Sequence, residues 1–255
     1  MFNKCLSSAW VTVTVVRVST GYPTTRRHGE VVHELGRAVV RGDLAAGETL
    51  PSEETLAVEY GLSRGAFREA MKVLAGKGLV ASRTRTGTVV MPETRWNLMD
   101  PDVLAWRYQG SPTRGQLDDL AEVRVALEPE AARLAAVRIR KAEVTSLRDL
   151  LDRMEQTLPD PDEFIKADLD FHQAVVAASG NELFVTLFSL LGAALAEVRH
   201  VHTRSVRRNQ QTLPEHVAVV EALAAHDQAA AFDRMRHVVT GAAHDVRRTR
   251  KPKKG

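Results

Sequence analysis

LPSEETLAVEYGLSRGAFREAMKVLAGKG, residues 50–78, is the stretch on which the reading of this chain turns. Ser52 stands where a side-chain oxygen caps a helix, and Glu53 and Glu54 follow in the first turn, where the positive end of the helix dipole favours them. That helix runs to about Tyr60 and stops at Gly61. Ser63 then caps a second helix, in which Phe67, Ala70, Met71 and Leu74 keep helical spacing up to Gly76-Lys77-Gly78.

Upstream, Val31, Val32, Leu35, Ala38 and Val39 fall on one helical face that ends at Arg41-Gly42-Asp43. Downstream, the β-type runs Leu79 to Ser82 and Thr88 to Met91 are separated by Arg83-Thr84-Arg85-Thr86-Gly87, a hairpin with a basic tip. Helix, helix, short turn, helix and hairpin is the order of a winged helix-turn-helix, whose last helix enters the DNA major groove. Charge agrees with this order: between Ser63 and Met91 stand Arg64, Arg68, Lys72, Lys77, Arg83 and Arg85 against only Glu69. Arg64 and Arg68 project from one side of their helix near its N-terminal end, within reach of base edges or phosphates. Arg83 and Arg85 on a wing suit a minor groove or the flanking backbone. A solvated helix face also carries such charge runs, so it is the order of elements that favours DNA.

These residues resemble the GntR family. Leu50-Pro51-Ser52-Glu53, Leu56-Ala57, Gly61-Leu62-Ser63-Arg64, Arg68-Glu69-Ala70, Gly78-Leu79-Val80 and Arg85-Thr86-Gly87-Thr88-Val89-Val90 all fall where that family has them. The resemblance implies DNA contact by Arg64 and Arg68, with Ser52 and Glu53 at one helix start, Ser63 at the next, and Gly87 at the wing tip beside Arg83 and Arg85. Gly65-Ala66-Phe67 departs from the pattern, which more often has a small hydroxyl residue and a Val before the second Arg. Operator preference is what that departure affects.

Composition sets the outer limits. A chain of 255 residues, 44% hydrophobic and 26% charged, holds two domains with real cores. The aromatic share of 5% and the abundance of Ala, Leu, Val, Arg and Glu in the second half point to helices there rather than sheets. The formal charge is only +3, although the pI is near 9.2. The lone Cys5 forms no internal disulfide, which fits a reducing cytoplasm. The apolar run Ala9 to Val16 is interrupted by Thr12 and Thr14 and falls short of the roughly 20 residues that span a bilayer. The fold expected is mainly α, a winged helix-turn-helix followed by an all-α helical bundle. Residues 1–28 read as a poorly ordered extension, 29–92 as the winged domain, 93–114 as a linker, 115–246 as the bundle and 247–255 as a basic tail. Helix breaks are expected near Arg140, Pro159 to Pro161, Gly180, Ser205 to Pro214 and His226-Asp227, which leaves six or seven helices.

In the second half, Glu122-Val123-Arg124 with Leu127-Glu128-Pro129, Asp168-Leu169-Asp170-Phe171-His172 and Ser179-Gly180-Asn181 resemble the FCD effector domain of the FadR branch of GntR regulators. Asp168 and His172, four apart on a helix, face the same way and can share one cation. The resemblance adds His216 and His237 on two later helices. Together these form a set suited to zinc, nickel or another divalent transition ion. With nine His in the chain, a single one carries little weight. His200, His202, His226 and His244 read as bystanders, with His200 or His202 as replacements if a helix register differs. Arg124 and Asn181 are the residues the resemblance offers to a carboxylate effector. Their plainer readings are a salt bridge and a helix cap. Trp96-Asn97-Leu98 with Asp102-Val103-Leu104-Ala105-Trp106 resembles the linker of galactonate and related sugar-acid regulators.

The function expected is therefore an operator-binding regulator, a repressor controlled by a small carboxylate such as a sugar acid, with no catalytic role and no membrane contact. A homodimer is expected because family members bind paired half-sites. The alternative is a metal-dependent hydrolase or lyase in which the same cation activates water.

Overall fold

The computed structural model describes residues 21–24, 27–202 and 206–248. Residues 1–20 of the expected extension, including Cys5, and 249–255 of the basic tail lie outside them. The N-terminal core begins inside the expected extension. Tyr22 packs against the N-terminal core, its amide donates to Asp102 Oδ2 at 2.8 Å, and its carbonyl meets His33 Nε2 at 2.7 Å. Helix α1 starts at Arg27 and spans Arg27–Arg41.

Val31, Val32, Leu35 and Val39 of α1 are buried against Phe67, Ala70, Met71 and Leu74 of α3, Arg64–Gly76, while α2, Glu53–Glu59, adds Leu56 and Ala57. Strands β1, Val80–Arg83, and β2, Gly87–Val90, pair antiparallel with Val80 opposite Val90 and Arg83 opposite Gly87. The loop after α1 joins this wing, since the Leu50 amide donates to the Thr88 carbonyl and Thr49 bridges Val89. At the wing tip Arg85 takes φ 72°, a left-handed value that costs a residue with a Cβ, and Gly87 takes φ 85°.

The segment expected to be a linker is partly a helix. After a short 3-10 turn, Asp100 accepts from the Asp102 and Val103 amides and so caps α4, Pro101–Tyr108, with proline in the first turn. Its two faces serve two cores. Val103 and Trp106 pack with the winged domain, while Leu104 and Tyr108 pack with Phe188, Leu190, Leu195 and Val198 of the C-terminal domain. Period-2 and period-3.6 arguments assume one apolar face, so a short helix apolar on both sides between prolines reads as a loop.

The C-terminal domain is all-helical: α5 Arg114–Arg138, α6 Lys141–Gln156, α7 Pro161–Ala178, α8 Glu182–His202, α9 Val206–Ala224 and α10 Gln228–Arg248. Thr113 and Gln116 form a capping box at the start of α5, and Asp160 caps α7 ahead of Pro161. The break expected to reach Pro214 does not, because α9 carries Pro214 in its interior. The lost backbone bond is outweighed there by burial of Val219, Val220 and Leu223 in the main core. No helix among the described residues is long and apolar enough to cross a membrane.

Candidate metal centre and DNA-binding surface

Both helix starts of the DNA-binding motif are capped as their sequence implies. Ser52 Oγ accepts from the Thr55 amide at 3.1 Å, and Ser63 Oγ from the Ala66 amide at 3.2 Å. Arg64 and Arg68 emerge from the first turns of α3 with side chains 71% and 63% exposed. Each leans on the acidic start of α2: Arg64 pairs with Glu54, and Arg68 Nε lies 3.3 Å from Glu53 Oε2. Exposed pairs of this kind contribute about 0.2–1 kcal/mol, so a phosphate or a guanine edge can displace the carboxylate at small cost. Arg83, Arg85 and Gly87 are exposed at the wing tip, on the same domain. Gly65 faces open space, so the protein's own packing does not demand glycine there.

The second constellation is buried. Asp168 and His172 lie on one face of α7, His216 comes from α9, and one ligand atom of each lies within 4.8 Å of the others. His216 Nε2 is 3.2 Å and His172 Nε2 3.8 Å from Asp168 Oδ1. The far nitrogens are occupied by other groups. His216 Nδ1 is 2.8 Å from the Thr212 carbonyl, to which it can only donate, and His172 Nδ1 is 2.5 Å from Glu128 Oε2. Phe171 meets His216 edge-on at 5.1 Å, and Phe188 stacks on His172 at 6.4 Å, so the imidazoles are walled by rings. Glu128 is completely buried and bound by Arg124, Nε to Oε1 at 2.5 Å. Burial pushes the Glu128 carboxyl up, but Arg124 and His172 outweigh it and hold the group well below the usual carboxylate range.

Two imidazole Nε2 atoms and a carboxylate oxygen converge, with each Nδ1 turned to an acceptor. That is a donor set that could hold a metal ion. His237 is not part of it. Its side chain is 70% exposed and faces Glu215 at 3.3 Å, whereas the next residues Val238 and Val239 are buried. One residue along a helix turns the side chain by about 100°, so a register one step from expectation sends the imidazole to solvent. Asn181 takes its plainer role: its Oδ1 accepts from the Leu183 and Phe184 amides at 3.0 and 3.3 Å at the start of α8. Arg124 is committed to Glu128 rather than to an open cavity wall. Of the bystanders, His226 Nδ1 meets the Ala136 carbonyl at 2.8 Å, far from the cluster in role, while the side chains of His200, His202 and His244 lie outside the described ones. Sequence reasoning missed Glu128 as a site residue. Its signal was an acid one helical turn after Arg124, among Leu127, Ala131 and Ala132, all buried.

Comparison with known proteins agrees with this division. Residues 27–90 match the model of bacterial regulatory proteins of the gntR family, and residues 119–241 match the FCD domain. The uncharacterized HTH-type transcriptional regulator YieP of Escherichia coli is 30% identical over 206 residues, covering 79% of this chain and 87% of that protein. The galactonate operon transcriptional repressor of E. coli is 30% identical over 209 residues, covering 82% and 91%. Among solved structures, Lar, which controls the Listeria monocytogenes agr system, aligns with a TM-score of 0.64 at 18% identity over 90% of this chain and 99% of that one; at that identity the likeness shows the fold alone. A winged helix-turn-helix joined to an FCD domain, with whole-length relatives at this identity, makes the chain a DNA-binding transcriptional regulator of the GntR family.

Proposed function

We propose that this regulator is a cytoplasmic homodimeric repressor, released from its operator by a small carboxylate that completes the coordination of a metal ion held by Asp168, His172 and His216. The observation that carries the reading is the convergence of both Nε2 atoms on Asp168 while both Nδ1 atoms are held by acceptors. Zinc or nickel suits an N2O donor set of this kind. The ion supplies a positive centre with open positions for a carboxylate, and the chain's own residues orient its ligands and wall the site from water. The effector class is a sugar acid, in line with the relative named as a galactonate operon repressor. DNA is read by Arg64 and Arg68 from α3, with Ser52, Glu53 and Ser63 setting the helix starts and Arg83, Arg85 and Gly87 on the wing. The relatives described above are regulators and lend no support to the hydrolase or lyase alternative.

The test is a gel-shift assay on DNA from upstream of the regulator's own gene, with zinc-loaded and chelator-treated protein, against a panel of aldonic acids including galactonate. Binding to that DNA and its release by one acid in the zinc-loaded form alone is the expected result. DNA affinity indifferent to every acid, or equal release from stripped protein, overturns the sensing role.

A further inference from the structure

The geometry points to Glu128 as a positioning residue: anchored by Arg124, its carboxylate holds the proton of His172 on Nδ1 and thereby leaves Nε2 as the bare donor that faces Asp168. This deepens the metal reading above and rests on it only for its consequence in metal affinity.

The physical argument begins with the cost of the carboxylate. Glu128 sits in the middle of α5 with no exposed surface, where an ionised acid persists only if paired and hydrogen-bonded. Arg124, one turn earlier, supplies the pairing, with Nε 2.5 Å from Oε1 and Nη2 3.4 Å from Oε2. A guanidinium has no acceptor and does not give up its proton, so the carboxylate bound to it stays ionised and can only accept. Its Oε2 lies 2.5 Å from His172 Nδ1; the ring N–H is not well aligned on that oxygen, but lone pairs on both atoms at this separation would repel, so the hydrogen belongs on Nδ1. In a neutral imidazole Nε2 then carries the lone pair, which is the form that ligates.

His216 reaches the same state by another route. The Thr212 carbonyl, 2.8 Å from its Nδ1, belongs to its own helix one turn back and cannot donate either. The two histidines are thus fixed by acceptor-only groups of different origin, one from local helix geometry and one from a helix that contributes no ligand. A salt bridge serving core stability alone would need no imidazole at Oε2. Arg124 therefore has its part in the site through Glu128.

The experiment uses the full-length protein with 15N-labelled histidine, read by ring-nitrogen NMR with and without Zn2+, alongside Zn2+ affinity by chelator competition. In the metal-free wild type, His172 is expected as the Nδ1–H form. Glu128→Ala is expected to populate Nε2–H on His172, leave His216 unchanged, and weaken Zn2+ binding by about 10–100-fold. Glu128→Gln, whose amide oxygen can accept the same hydrogen, is expected to keep the tautomer and most of the affinity. A metal-free wild type with Nε2–H on His172 overturns the proposal without recourse to any variant, which covers the case of an unfolded Glu128→Ala. So does a folded Glu128→Ala with wild-type tautomer or wild-type Zn2+ affinity. A wild type that shows the Nδ1–H form yet takes up no Zn2+ sinks the metal reading and leaves the hold of Glu128 on His172 supported.

Discussion

The two ends of α3 treat charge in opposite ways. At its start, Arg64 and Arg68 pair with Glu54 and Glu53 in the open, on side chains mostly exposed. At its end, Lys77 is buried, and its Nζ meets Asp100 Oδ1 and Oδ2 at 2.7 and 2.8 Å and Asp102 Oδ2 at 2.7 Å, 5.6 Å from the Trp106 ring centroid. Water competes freely for the first set and far less for the second, so the first is exchangeable and the second is fixed. On the DNA reading proposed above, the exchangeable pairs lie where a phosphate or base edge would displace a carboxylate. The fixed cluster ties the recognition helix to α4, whose other face packs on α8 of the FCD domain. The Arg124 to Glu128 pair, within α5, is of the fixed kind, and through Glu128 it reaches His172 on α7.

This contrast ranks the expected outcomes. Lys77→Met leaves the buried Asp102 and the part-exposed Asp100 without their cation and is expected to destabilise the winged domain by about 3–5 kcal/mol in urea unfolding. A loss under 1 kcal/mol would show that water already reaches the cluster. Arg64→Ala and Arg68→Ala are each expected to weaken operator binding by about 1–3 kcal/mol and to leave urea stability within about 0.5 kcal/mol of wild type. If either unfolds the domain as Lys77→Met does, the exchangeable class does not exist. Glu54→Gln has the smallest effect, under about 1 kcal/mol in stability, with operator affinity unchanged or raised because Arg64 no longer leaves a carboxylate to reach DNA. A loss of operator affinity in that variant would make Glu54 a DNA-orienting residue, and the comparison would need redrawing.

Where local chemistry suffices, the sequence was readable. Ser52 and Ser63 cap because a hydroxyl before a helix has its partner two or three residues on, and Gly180 and His226-Asp227 break helices where positive φ is needed. Asp168 and His172 share a face because four residues nearly complete a turn, and His216 joins them as the family resemblance implied. Three features were decided only by tertiary packing. Helix α4 forms because two separate cores each take one of its faces, which no single periodicity in eight residues reveals. His237 faces solvent because burial of Val238 and Val239 sets the rotation of α10, and a one-residue error in that register turns a ligand into a surface pair. Glu128 reaches His172 because α5 packs beside α7, and a contact between residues 44 apart in sequence has no local signature. Spacing along a helix reports which residues share a face, and only the packing of helices against each other reports what that face meets.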